Sequence, residues 1–260
     1  MHIYAIAIEK GGTGKSTLAV NLASAFSRLN FRVLLIDLDS QAHASYWLGV
    51  STSMVRPDDS FLGVLNGRAV LECVRPTEEG VDLLPAHPAL ASLPVQLSTV
   101  PNGGIFALGD AITQLNSSSP RYDIILFDLA PARGLVLAAA LAAATRCIAP
   151  VQAEELVLQA LKALNESVIQ AQRLNKQLRG VSIVRNKYTP RSAADLAYDK
   201  ILKDLYGPSL MKASIPVRAA LRDSAGLQQS IFRYSGADVN EVRNLFLDLV
   251  EELIELDGVV

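Results

Sequence analysis

Apolar residues gather in short unbroken runs along this chain, and stripes at helical spacing separate them. Residues 3–8 form the first run; a glycine-rich turn follows, and then Leu18, Leu22, Ala25, Phe26 and Leu29 fall on one face of a helix. Further runs at 32–38, 81–86, 122–129, before Pro150, at 183–184 and at Ile215-Pro216 read as strands. The main runs show no polar alternation, so both faces of each strand must be covered, as in a parallel sheet joined by crossover helices. The expected fold class is α/β, a mostly parallel twisted sheet with helices on both faces. No linker or internal repeat interrupts residues 1–260, and a single domain is expected.

Two segments stand apart. Residues 51–120 read as a loop-rich insertion with helical patches near 59–66 and 105–115, closed by the polar turn Ser117-Ser118-Ser119-Pro120. A final helix is expected at about 238–256, pairing the stripe Val242, Leu245, Phe246, Leu249, Val250 and Ile254 with Glu241, Asp248, Glu251, Glu252 and Glu255. An acidic polar face is repelled by anionic lipid, so this helix should pack on the sheet.

With 50% hydrophobic residues the chain can bury a large core. The most apolar stretch, 134–144, is bounded by Arg133 and Arg146 and is too short to span a bilayer. The first apolar run enters the glycine-rich turn directly, unlike a signal peptide, and Cys73 and Cys147 lie far apart, which fits a reduced cytoplasmic setting. Both thiols read as buried hydrophobes; His2, His43 and His87 are scattered, and His43, the one near the chemistry, reads as structural. The formal net charge of −2 is unevenly spread: residues 173–222 hold eleven Lys or Arg against three Asp. Such a basic region suits sequence-independent contacts to duplex phosphates, with a solvated helix face as the plainer alternative; tyrosines are sparse, so base stacking is not expected.

The chemistry concentrates at 8–17, Ile-Glu-Lys-Gly-Gly-Thr-Gly-Lys-Ser-Thr, between the first strand and the first helix. Gly11, Gly12 and Gly14 let the backbone curl, with Thr13, around a polyphosphate whose charge meets loop amides and the helix N-terminus. Lys15 would reach β- and γ-phosphates, Ser16 a Mg²⁺ ion, and Thr17 an α-phosphate oxygen. The ordinary G-x-x-x-x-G-K-[ST] pattern fails, because Glu9 occupies its first glycine, and a second lysine, Lys10, precedes the glycines. Two further runs end in acids: Val33-Leu34-Leu35-Ile36-Asp37-Leu38-Asp39-Ser40-Gln41 and Tyr122-Asp123-Ile124-Ile125-Leu126-Phe127-Asp128. Asp128 suits a water-mediated Mg²⁺ contact; Asp37 and Asp39 could also merely cap the next helix.

Read as K-G-G-T-G-K-S-T, the loop resembles the deviant Walker A motif of the ParA/MinD ATPases. The resemblance extends through the Asp37/Asp39 block (Walker A′, with Ser40 for the usual proline), the Asp128 block (Walker B, with Ala130 for a proline), Pro150-Val151-Gln152-Ala153-Glu154 and the Val81–Ala86 strand. It implies ATP and Mg²⁺ as cofactors and a homodimer closed face to face over two nucleotides, with Lys10 reaching the partner's phosphates like an arginine finger; a solvated loop lysine is the bland alternative. By position, Asp39 would orient the attacking water and Asp37 would support the Mg²⁺ shell or Lys15. The flexible turn at Ser40 puts the hydrolysis rate in question. Asn186 and Pro216 would contact adenine, although Asn186 could equally be a turn residue. Arg191, Arg218 and Arg222 are the positional candidates for nonspecific double-stranded DNA.

The resemblance thus implies a short, Soj-like ATPase, slow and stimulated by a ParB-like or other cargo adaptor, cytoplasmic and nucleoid-associated; the acidic face of the last helix argues against membrane binding. Unpaired cysteines argue against the iron–sulfur relatives. The rivals are a MinD-like membrane ATPase, an ATP-dependent biosynthetic ligase of the same superfamily, and an ATP-bound scaffold that hydrolyses little.

Overall fold

Alternate residues of the first strand enter two different cores: Ile3 and Ala5 face one layer of helices, Tyr4 and Ile6 the other. Leu34 and Ile36 against Val33 and Leu35, and Ile125 and Phe127 against Ile124 and Leu126, repeat the division. Burial on both faces is why these strands read as continuous apolar runs. The structure, a computed structural model, describes residues 1–100, 104–116, 122–189 and 192–259. The Ser117–Pro120 turn and Arg191 lie outside the described residues.

The strands are β1 (His2–Ile6), β2 (Val33–Asp37), β3 (Arg75–Pro76), β4 (Asp82–Leu84), β5 (Ile124–Asp128), β6 (Arg146–Val151), β7 (Val181–Tyr188) and β8 (Leu210–Pro216). They form one sheet in the order β3-β4-β2-β5-β1-β6-β7-β8, parallel throughout except for the β3–β4 pair. The helices are α1 (Lys15–Arg28), α2 (His43–Trp47), α3 (Phe61–Leu65), α4 (Val70–Cys73), α5 (Leu93–Thr99), α6 (Ala107–Asn116), α7 (Leu135–Ala143), α8 (Glu155–Leu174), α9 (Ala193–Tyr206), α10 (Ala219–Gly226) and α11 (Val239–Asp257). Helices α1, α2, α10 and α11 cover one face, and α3 to α9 the other.

The insertion is denser than its sequence suggests. Both helical patches exist, as α3 and α6, but 51–120 also holds α4, α5, β3, β4 and several 3₁₀ turns. Short apolar segments such as 93–97 show too little of a period to be read as helix, and Pro94, which suits a first helical turn, looks like a breaker. The apolar stretch at 134–144 is α7, with Leu137, Ala139, Ala140 and Leu141 buried against the sheet. Among the described residues no helix is long and apolar enough to cross a membrane.

Helix α11 packs as expected. Val242, Phe246, Leu249 and Val250 are fully buried in the core shared with α1. Glu252, on its flank, accepts hydrogen bonds from the amides of Lys212 and Ala213, which blunts β8 as an open sheet edge. At the C-terminal end the buried Asp257 accepts from Arg146 at 2.6 Å and Arg179 at 3.2 Å, fastening the helix to the bottom of the sheet.

Candidate active site

Strands β1, β2 and β5 end side by side, so the loops that leave them share one rim of the sheet, where open α/β folds gather ligand chemistry. The glycine loop turns there through Gly12 (φ 75°) and Gly14 (φ 92°), and Gly14 caps α1. No side chain caps that helix and its first turn holds no acid, so its leading amides remain free for an anion. Lys15 folds onto its own loop: Nζ donates to the Lys10 carbonyl at 2.9 Å and to that of Ile8 at 3.4 Å. Burial pulls its pKa below the ordinary lysine value, opposed by Asp128 and Asp39.

The three acids have different surroundings. Asp37 Oδ2 accepts from the amide and hydroxyl of Ser45 at 2.8 and 2.7 Å, and Oδ1 from the Asp39 amide at 3.1 Å. Ala42, the N-cap of α2, is left-handed and offers no side-chain cap, so Asp37 anchors that helix from the strand. Burial raises its pKa to about 6, against the Ser45 bonds. Asp39 Oδ1 accepts from the Gln41 amide at 2.9 Å, a local bond that holds the turn where Ser40 removes a proline's stiffness.

Asp128, opposite Asp37 in the β2–β5 register, is fully buried with no hydrogen-bond partner for either oxygen. Its pKa is driven well above the carboxylate range by burial and then by Asp37, while the Ser16 hydroxyl and Lys15 pull the other way. A buried carboxylate without partners, next to a serine hydroxyl, is an oxygen donor set that fits a small hard dication. Among the described residues no group of three or more His, Cys, Asp or Glu could hold a metal ion alone.

A cleft of about 600 Å³ opens over the loop, with Gly11, Gly12, Gly14, Lys15, Ser16, Thr17 and Asp39 in its wall. Most of the residues nominated for phosphate, Mg²⁺ and water therefore meet in one place. Thr13, Asp37 and Asp128 are buried and do not line the cleft, and Lys10 pairs with Glu154. Asn186 donates from Nδ2 to the Thr13 carbonyl at 2.6 Å, behind the loop, and Pro216 ends β8 opposite Tyr188. Sequence reasoning missed Lys187, whose Nζ donates to the Gly12 carbonyl at 2.9 Å, and the wall made by Tyr46, Trp47, Ala225 and Gly226. It also read His43 as structural, whereas the exposed ring lines the cleft. Only adjacency signalled these residues: α2 follows Asp39, and Lys187 follows Asn186.

The basic window is less free than its count implies. Arg185 is half-buried in an ion pair with Asp199 at 2.7 Å, Arg179 pairs with Asp257, and Arg218 pairs with Glu241 at 2.6 Å. Arg222 has 81% of its side chain exposed and pairs with the neighbouring Asp223 at 3.1 Å.

A glycine loop between the central strand and α1, with acids at the adjacent strand ends, defines a P-loop nucleotide-binding protein. The family described as an AAA domain (AAA_31) matches residues 1–180. The chromosome-partitioning ATPase Soj of Thermus thermophilus is 32% identical over 232 residues, 89% of this chain and 87% of that protein. The chromosome partitioning protein ParA of Myxococcus xanthus is 30% identical over 236 residues, 89% and 81%. The chain belongs to the ParA/MinD family of P-loop ATPases. Among solved structures, McdA of Cyanothece in its ATP complex superposes with a TM-score of 0.83 at 20% identity, covering 97% of this chain and 96% of the other. Cobyrinic acid a,c-diamide synthase of Mycobacterium smegmatis with ADP and magnesium superposes with a TM-score of 0.76 at 24% identity, covering 90% and 94%.

Proposed function

We propose that this chain is a ParA-like ATPase that closes into a homodimer around two ATP molecules, binds double-stranded DNA without sequence preference in that state, and releases it on hydrolysis. The observation that carries the reading is a deviant loop with Lys10 beside Lys15, set over the orphaned Asp128. Relatives that partition chromosomes favour this over amide synthesis, for which there is only likeness of fold. Ser16 and Asp128 would hold Mg²⁺, which supplies charge neutralisation for the polyphosphate and the buried acids. The free amides of α1 and Lys15 bind the phosphates, and Asp39 orients the attacking water. Thr17 lies along the same wall, while Asn186 and Pro216 belong to the adenine side. Lys10 reaches the partner's terminal phosphate, so the closed state is stabilised only while that phosphate is present.

Turnover is slow and rises with a ParB-like or other cargo adaptor; the protein works in the cytoplasm on the nucleoid. Arg191, Arg218 and Arg222 contribute phosphate contacts. Retention on DNA with ATP, compared for wild type, Lys15→Ala and Asp39→Ala, tests the reading. Loss in Lys15→Ala and trapped, DNA-bound dimers in Asp39→Ala are expected. Equal retention by all three without nucleotide, or a monomer in saturating uncleavable ATP, overturns it.

A further inference from the structure

The segment after β6 carries the Gln152-Ala153-Glu154 motif, and the mechanism above leaves it without a task. It turns tightly at Ala153, where the Glu154 amide donates to the Gln152 carbonyl at 2.8 Å, and the side chains on either side of the turn both reach the glycine loop. Gln152 Nε2 donates to the Gly12 carbonyl at 2.7 Å, and Glu154 forms an ion pair with Lys10. From β7, Lys187 donates to the same Gly12 carbonyl and Asn186 to that of Thr13. The loop is thus gripped through its carbonyls. Glu154 is also the N-cap of α8; its carboxylate makes no capping bond and goes to Lys10.

We propose that Glu154 is a positioning residue for Lys10: it holds the ammonium against its own subunit in the nucleotide-free chain, and Lys10 serves a second copy only after this pair opens. The proposal rests on the sandwich reading for its consequence, and on the ion pair alone for its existence. The side chains are 21% and 51% exposed, so water screens the pair and it exchanges easily. An ion pair of this kind biases its equilibrium about two- to fivefold. Each sandwich opens two such pairs, so the bias on dimerisation is the square, roughly four- to twenty-five-fold. By linkage, whatever draws Glu154 away favours the dimer, and α8, which begins at the next residue, is the element through which a partner can do so.

Acetylation of nucleotide-free protein with a small amine reagent, read by mass spectrometry as the Lys10 rate relative to exposed Lys200, measures the restraint directly. Glu154→Gln is expected to raise that ratio about two- to fivefold, and Glu154→Asp, with charge but shorter reach, to fall between. An unchanged ratio in Glu154→Gln overturns the proposal. Sedimentation in saturating AMP-PNP is the second arm: the dimer dissociation constant of Glu154→Gln should fall roughly four- to twenty-five-fold, and no change or a rise overturns the restraint on dimerisation. Wild type and variant both remaining monomeric would sink the sandwich reading, while the acetylation ratio would still decide whether Glu154 holds Lys10.

Discussion

Asp37 and Asp128 stand opposite each other at the ends of β2 and β5, both fully buried, and only Asp37 is supplied with hydrogen-bond donors. Two neighbouring carboxylates without a cation bind protons more tightly in the folded chain than in the unfolded one. Stability from this pair is therefore complete below the unfolded carboxylate pKa of about 4 and is lost as pH rises. Asp37 loses its share by about pH 6, and Asp128, whose pKa burial also raises, loses its share in the same direction. The Asp37 shift alone corresponds to about 3 kcal/mol. Nucleotide-free protein should melt lower at pH 8 than at pH 5.5, and Mg²⁺ with nucleotide should raise Tm more at pH 8. Asp128→Asn should flatten both trends. Parallel thermal melts at the two pH values check this, and identical shifts at both would remove the pair from the account.

Ser45 ties this pair to the rest of the site. Its amide and hydroxyl donate to Asp37, and its hydroxyl oxygen accepts from the Ala86 amide at 2.9 Å, all of it buried. Ser45→Ala leaves a buried carboxylate oxygen and a buried amide short of a partner, at a cost of about 2–3 kcal/mol. For a chain of this size Tm should fall by roughly 5–10 °C. Because Asp37 also holds the Asp39 amide, phosphate release should drop more than ATP affinity does. Fluorescence of Trp47, the only tryptophan and part of the cleft wall, reports the affinity separately.

The glycines of the loop divide into two kinds. A methyl group on Gly14 would run into the Asn186 amide at a left-handed backbone position, whereas one on Gly11 would meet no atom within 4 Å. Gly14→Ala should cost at least about 2 kcal/mol in nucleotide-free protein. Gly11→Ala should stay within roughly 0.5 kcal/mol of wild type. Denaturant melts distinguish them, and any loss of nucleotide binding by Gly11→Ala then reports the phosphate cradle and not the fold.

The sheet and the loop were legible because their signals are local: an apolar run on both faces, three glycines in four residues, an acid at a strand end. What escaped was assembled across the chain. Asp37 reads as a metal or lysine partner by motif, yet its oxygens serve Ser45 and Asp39, a role visible only once α2 is placed. Trp47 joins the cleft through its Nε1 bond to the Gln229 carbonyl at 2.6 Å, 182 residues away. Glu79, buried and holding the amide and hydroxyl of Ser230, carried no local sign of that role either. Charge was the most misleading signal, since a count along the chain cannot tell which cations already have an acid from another element.

That distinction separates the arginines experimentally. Arg222 projects into solvent from α10, so Arg222→Ala should leave Tm unchanged while weakening retention on DNA with ATP. If it meets one phosphate per subunit, the slope of log affinity against log salt should shrink by about 0.9 per contact, or nearly twice that for a dimer. Arg185 is the contrasting case. Its guanidinium pairs with the buried Asp199, donates to the carbonyls of Met211 and Lys212, and lies over Tyr188 at 5.5 Å. Arg185→Ala takes one of two cations from that carboxylate, which keeps Lys203 at 2.6 Å, and removes the donor to two carbonyls. It should cost about 1–3 kcal/mol, and the folded protein should keep the wild-type salt slope. Arg218→Ala should fall between, freeing Glu241 on the surface at little cost in stability. Filter retention across a salt series, with melts on the same samples, reads both quantities. A wild-type slope in Arg222→Ala would place the DNA surface away from α10.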